Sequence, residues 1–162
     1  MNRQLVEAEA SGGDHPVRIS PLREEDVPAV ARIEREIYSL PWSARSFLDA
    51  LEREYYLFLK AEVDGCLAGY CGCLRSFETG EITNVTVREE YRRRGIARRL
   101  LLSLMGQAGE LGCERFTLEV RRSNEPAIAL YHSLGFRDEG VRKGYYESPR
   151  EDALILWTPA VR

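Results

Sequence analysis

Residues Tyr91 to Leu102 read YRRRGIARRLLL: five arginines fall within eight positions, one glycine divides them, and a leucine run follows at once. A solvated charge cluster has no use for that glycine, whereas a turn that receives a phosphate does. EITNVTV before it is rich in β-branched residues, and after Gly95 the residues Ala97, Leu100, Leu101, Leu104, Ala108 and Leu111 recur at three and four. The spacing predicts a strand, a short basic loop and a long helix that Gly112 ends. The first N–H groups of a helix have no internal acceptor, its dipole makes that end partly positive, and a residue without a Cβ lets an anion reach the backbone. No Gly-Lys-Ser/Thr follows and a single glycine is present, so neither a Walker A loop nor a dinucleotide fingerprint fits.

Working outward, VRISPL reads as a strand. In Glu24 to Tyr38, Val27, Val30, Ile33 and Ile37 keep helical spacing, with Glu25 and Asp26 suited to the first turn. Pro41 ends that element, and Ser43 is placed to cap a short helix, ARSFLDALERE. Tyr55 to Val63, Cys66 to Arg75 and Glu81 to Arg88 are β-rich runs separated by turn residues, an antiparallel meander. FTLEV is a strand, EPAIALYHSLG a helix with Pro126 in its first turn and Gly135 at its end, and FRDEGVRKGYY and ALILW are closing strands. The order is β-α-α-β-β-β-α-β-α-β-β, an α/β (α+β) chain with a mixed sheet of about six to seven strands and about four helices. Residues 1–15, with Ser11, Gly12 and Gly13, read as a flexible tail, and 16–162 as one domain.

Composition narrows the function. With 162 residues the chain suits one domain and one site. The net charge of -3 argues against a surface built for nucleic acid, so the arginine cluster is a local feature. No apolar run is long enough to span a membrane and the N-terminus lacks a secretory core, which points to the cytoplasm. Cys66, Cys71, Cys73 and Cys113 form no CxxC pair and have no nearby histidines; four buried or half-buried free thiols are expected, without a metal.

YRRRGIARRLL resembles the Q/R-x-x-G-x-G/A signature of the GCN5-related N-acetyltransferase (GNAT) superfamily, matched at Arg92, Gly95 and Ala97, where Ala97 stands for the usual final glycine. LEVRRSNEPAIALYHSLGF resembles a segment of N-terminal protein acetyltransferases, above all the RimI type, and PWS at Pro41 to Ser43 and GYY at Gly144 to Tyr146 are similar to further features of that type. The resemblance runs over about residues 16 to 158. It implies a GNAT fold, acetyl-CoA as co-substrate, and transfer to a protein N-terminal α-amine, specifically the N-terminal alanine of a small-subunit ribosomal protein. It also implies a pyrophosphate grip by Arg93, Arg94, Gly95, Ile96, Ala97 and Arg98, pantetheine pairing along Val85, Thr86 and Val87, and a cofactor contact from Asn124. Glu119 then becomes the general base and Tyr131 the donor to the leaving thiolate. Trp42, Tyr145 and Tyr146 become walls of a peptide groove.

Read without the resemblance, Glu119 is a strand glutamate facing away from Phe116, Leu118 and Val120, open to pairing with Arg121, and Tyr131 is a core aromatic. Asn124 is an N-cap, and Trp42, Tyr145 and Tyr146 are packing residues. Acetyl transfer needs a neutral amine. An α-amino group titrates near 8 and lysine near 10.4, so a carboxylate base has roughly two units less work on an N-terminus. A phenol near 10 is a weaker acid than a thiol near 8.5, so full proton transfer from Tyr131 is uphill by about 2 kcal/mol and hydrogen bonding is its expected role. Two alternatives stay open: a GNAT enzyme acting on lysine or a small amine, and a non-catalytic acyl-CoA sensor or nucleic-acid-binding module.

Overall fold

Alternating burial along the strands and three-and-four spacing along the helices sort the chain into two layers of helix around one sheet. The computed structural model describes residues 6–8 and 15–160. Its strands are β1 (Val6–Ala8), β2 (Val17–Pro21), β3 (Tyr56–Val63), β4 (Cys66–Ser76), β5 (Thr79–Val87), β6 (Arg115–Arg121), β7 (Arg137–Tyr146) and β8 (Glu151–Trp157). Its helices are α1 (Val27–Ile37), α2 (Ala44–Leu51), α3 (Ile96–Glu110) and α4 (Glu125–Ser133). The strands lie in the order β1-β2-β3-β4-β5-β6-β8-β7. Every neighbouring pair is antiparallel except β5 and β6, which the helix α3 joins as a parallel crossover.

The expected elements are present with small shifts. Glu24–Asp26 form a separate 3-10 turn ahead of α1, with Asp26 accepting from the Arg23 N–H at 2.8 Å. Ile37, the last residue of the expected apolar stripe, is exposed because α1 ends there and the chain turns extended at Tyr38. The sheet has eight strands where about six to seven were expected. The addition is Val6–Ala8, paired along β2 within the stretch expected to be a tail; the rest of that tail lies outside the described residues.

The two faces of the sheet carry separate cores. Under α3 and α4 lie Leu59, Ala61, Cys71, Cys73, Leu100, Leu101, Leu104, Phe116 and Leu118. Under α1 and α2 lie Val27, Val30, Ile33, Phe47, Phe58 and Tyr70. Cys71, Cys73 and Cys113 are buried free thiols, but Cys66, expected to be at least half-buried, is exposed at the start of β4. Burial pushes the Cys73 thiol up to about 12, which leaves it unreactive. In the second core Phe47 is fully buried and meets the rings of Trp42, Phe58 and Tyr70 at 5.2, 6.0 and 6.1 Å. It carries α2 onto the sheet, so Phe47→Ala is expected to lower the unfolding free energy by about 3–5 kcal/mol. Urea denaturation measures this; a loss below about 1 kcal/mol would show that α2 is held by other contacts.

Candidate active site

β5 and β6 are hydrogen-bonded only where Thr79, Gly80 and Glu81 face Arg115, Phe116 and Thr117. β5 continues to Val87 along β4, while β6 continues to Arg121 along β8, so the strands part and a cleft opens between them. The register on β4 breaks between Gly72 and Cys73, which face Asn84 and Ile82; Thr83 is the extra residue of a β-bulge on β5. Past the bulge the Arg88 N–H reaches the Ala68 carbonyl at 2.8 Å, which turns the backbone of Thr86 and Arg88 toward β4. By alternation Val85 and Val87 direct their N–H and C=O groups into the cleft. Both carbonyls already have donors: the Tyr38 hydroxyl reaches Val85 O at 3.2 Å and Arg92 Nε reaches Val87 O at 3.0 Å.

The basic turn closes one end of that cleft. Arg93 and Gly95 have φ of 65° and 73°, left-handed values that curl the chain back before α3, and Gly95 adopts this without strain. The first α-helical bond runs from the Arg99 N–H to the Gly95 carbonyl, so the N–H groups of Ile96, Ala97 and Arg98 have no acceptor within the helix. They face a hollow of about 140 Å³ bounded by Val87, Tyr91, Arg92, Arg93, Leu130 and the start of α3. This is a cradle of oriented N–H groups and positive charge that fits a pyrophosphate. Arg94 turns elsewhere, over the Tyr91 ring at 5.5 Å, and Arg98 ties α3 to α4 through Ser133 Oγ at 2.9 Å.

Across the cleft stands Glu119 on β6. Its side chain is 22% exposed, and its Oε1 accepts from Arg142 Nε of β7 at 2.8 Å. The pairing with Arg121 allowed by the sequence does not form: Arg121 lies on Glu151 at 3.4 Å and over the Tyr146 ring at 4.4 Å. The half-exposed Tyr145 hydroxyl bonds Glu119, which raises its own pKa. Burial, with Glu119 and Tyr145 adjacent, pushes Tyr146 up to about 12. The two rings meet edge to face at 5.1 Å.

Tyr131, on α4, is buried against Phe136, with ring centroids 5.9 Å apart. Burial raises its pKa, and Tyr38, Tyr146 and Cys71 nearby raise it further. Among the described residues its hydroxyl has no hydrogen-bond partner. Asn124 caps α4, accepting from the Ala127 N–H at 3.3 Å. Trp42 is not brought to this group. Its ring packs with Phe47, Tyr56 and Phe58 on the α1–α2 face and borders a separate surface hollow.

Tyr38, Arg142 and Glu34 were not singled out from the sequence. Glu34 is buried on α1 and accepts from the Tyr70 hydroxyl at 2.5 Å and the Trp42 N–H at 3.1 Å, which fixes the segment between α1 and α2. Burial, the dominant cause, raises its pKa against these two bonds. A signal was present: Glu34 stands seven residues after Val27 and four after Val30, in line with the apolar stripe. Arg142 gave none, because irregular register between β7 and β8 at Asp138/Gly140 and Arg142/Tyr146 decides which face it takes.

The Acetyltransferase (GNAT) family pattern matches residues 27–136. A Bacillus subtilis (strain 168) protein is 40% identical over 137 residues, 84% of this chain and 91% of that one. The [ribosomal protein bS18]-alanine N-acetyltransferase of Escherichia coli (strain K12) is 36% identical over 143 residues, 87% of this chain and 96% of that one. The crystal structure of the Escherichia coli ribosomal-protein-S18-alanine N-acetyltransferase superposes with a TM-score of 0.83 at 34% identity, covering 90% of this chain and 95% of that one.

The raised pKa of Glu34 carries a stability consequence. Folding favours its protonated form, so its contribution is complete below the ordinary value of 4.5 and declines as pH rises through the raised value. The unfolding free energy of the wild type minus that of Glu34→Gln is expected to fall as pH rises above about 4.5. A difference independent of pH would contradict this.

Proposed function

This chain belongs to the Acetyltransferase (GNAT) family and is an N-acetyltransferase that uses acetyl-CoA, and from that premise we propose that its acceptor is the N-terminal alanine of a small-subunit ribosomal protein. The observation that carries the acceptor is the match to bS18-alanine N-acetyltransferases over nearly the full length of both chains. Chemistry points the same way: a carboxylate base deprotonates an α-amine near 8 more readily than a lysine near 10.4. The setting is the cytoplasm, where ribosomal proteins are made. Among the described residues no helix is long and apolar enough to cross a membrane.

In this reading the cofactor supplies an activated thioester, and the chain positions, deprotonates and polarises. The Ile96, Ala97 and Arg98 N–H groups, with Arg92 and Arg93 bordering the hollow, hold the pyrophosphate; the Val85–Val87 edge holds the pantetheine arm as an added strand. Glu119 takes the proton of the incoming amine, which must displace or share with Arg142. Tyr131 offers its unpartnered hydroxyl to the leaving sulfur. Its raised pKa makes it a poor proton donor, so it stabilises the developing thiolate by hydrogen bonding. Tyr145 and Tyr146 flank the amine beside Glu119.

Thiol release from acetyl-CoA tests this directly. A short peptide with a free N-terminal alanine is expected to turn over, and the same peptide blocked at its N-terminus but carrying lysine is not; the reverse preference would overturn the proposed acceptor. Glu119→Gln should lower kcat by about 10²–10⁴-fold, and a full rate across about pH 6 to 9 would remove it as the base. Tyr131→Phe should cost about 10²-fold in kcat with little change in KM, and an unchanged kcat would end its role at the sulfur.

A further inference from the structure

The cleft-facing edge of β5 would ordinarily present N–H donors and C=O acceptors alternately to whatever lies beside it. Here both carbonyls already accept one hydrogen bond from within the protein, Val87 O from Arg92 Nε at 3.0 Å and Val85 O from the Tyr38 hydroxyl at 3.2 Å, and each keeps a second lone pair for an amide N–H of the cofactor arm. Beside them the Val85 and Val87 N–H groups point into the cleft. A carbonyl that already holds a donor repels an acyl oxygen gaining negative charge less than a bare one does, so the two N–H groups act on that oxygen with less opposition.

The Tyr38 hydrogen bond is held by a second contact. Thr86 Oγ1 lies 2.8 Å from the Tyr38 oxygen. Each hydroxyl has one proton, so when Tyr38 gives its own to Val85 O, Thr86 is the donor to Tyr38. Thr86 is buried and pairs across the ladder with Tyr70, whose hydroxyl ends on Glu34. Glu34 in turn receives the Trp42 N–H four residues beyond Tyr38. Tyr38 is thus fixed at its hydroxyl by Thr86 and along its segment by Glu34. It also stands close enough to Tyr131 to perturb it.

We propose that Tyr38 is a positioning residue for acetyl transfer: its hydroxyl, oriented by Thr86, engages the Val85 carbonyl so that the thioester oxygen meets the backbone donors with less repulsion from that carbonyl. The proposal rests on the acetyl-transfer reading of this cleft. Its expected mark is on the rate rather than on cofactor affinity, because Tyr38 acts through the Val85 peptide.

The test compares Tyr38→Phe, Thr86→Val and Thr86→Ser with the wild type, using whichever amine the wild type acetylates. Tyr38→Phe keeps the ring and should lower kcat about tenfold, less than the roughly hundredfold of a donor touching the oxyanion, with the KM for acetyl-CoA within about twofold. Thr86→Val should reproduce part of that loss and Thr86→Ser restore it. A second reading needs no acceptor: the infrared carbonyl stretch of bound acetyl-CoA labelled at its acetyl carbonyl. It should lie below the free value in the wild type and move back toward it in Tyr38→Phe. A kcat within about twofold of wild type, a loss confined to KM, or a stretch that Tyr38→Phe leaves in place would each overturn the proposal. Failure of the wild type on N-terminal alanine alone would touch the acceptor and leave this comparison standing.

Discussion

The parting of β5 from β6 after three residue pairs is the constraint on which the rest of the structure depends. A parallel pair that stayed bonded to Val87 would leave no cleft and no free backbone edge. Because it opens, the edge of β5 past the bulge at Thr83 becomes a free backbone edge. The crossover from β5 into α3 then sets the unpaired N–H groups of Ile96 to Arg98 at the same mouth. β6 brings Glu119 to the other wall, and the helix that follows it brings Tyr131 between them.

Two apolar cores make such an opening tolerable. The sheet is clamped from one side by α3 and α4 and from the other by α1 and α2, so the cleft can expose backbone without the sheet coming apart. Polar groups buried beside it are mostly paired: Glu34 with Tyr70 and Trp42, Thr86 with Tyr38. The exceptions include Thr83 Oγ1 and Asn84 Oδ1, which lack a partner among the described residues and sit at the bulge, where β5 departs from its ladder.

Much of this was legible in the sequence because it is written in local chemistry. The Gly95 turn, the α3 stripe and the alternation around Glu119 each follow from neighbours a few residues apart, and the structure has them where the spacing put them, except that Leu111, the last residue of the stripe, lies past the end of α3 and is exposed. The ion pair of Glu119 was not legible. Arg121, two residues away, was the local candidate, but a long-range register set by β8 and bent by bulges in β7 delivers Arg142 instead. Trp42 shows the same limit from the other side: its motif suggested a groove, and its ring packs with Phe47, Tyr56 and Phe58 on the α1–α2 face. Tyr38 sits just past a helix end, with no periodicity to mark it, and its meaning comes from a contact 47 residues away in sequence.

The most direct test is amide hydrogen exchange at Val85 and Val87, with and without coenzyme A. If the parted edge of β5 is where the cofactor arm adds as a strand, both amides gain protection on binding, together with Ile96, Ala97 and Arg98, while the amides of Leu118 and Val120, which the alternation on β6 turns to β8, change little. Saturating coenzyme A that leaves Val85 and Val87 exchanging as before would contradict it and move the cofactor to another surface of the molecule.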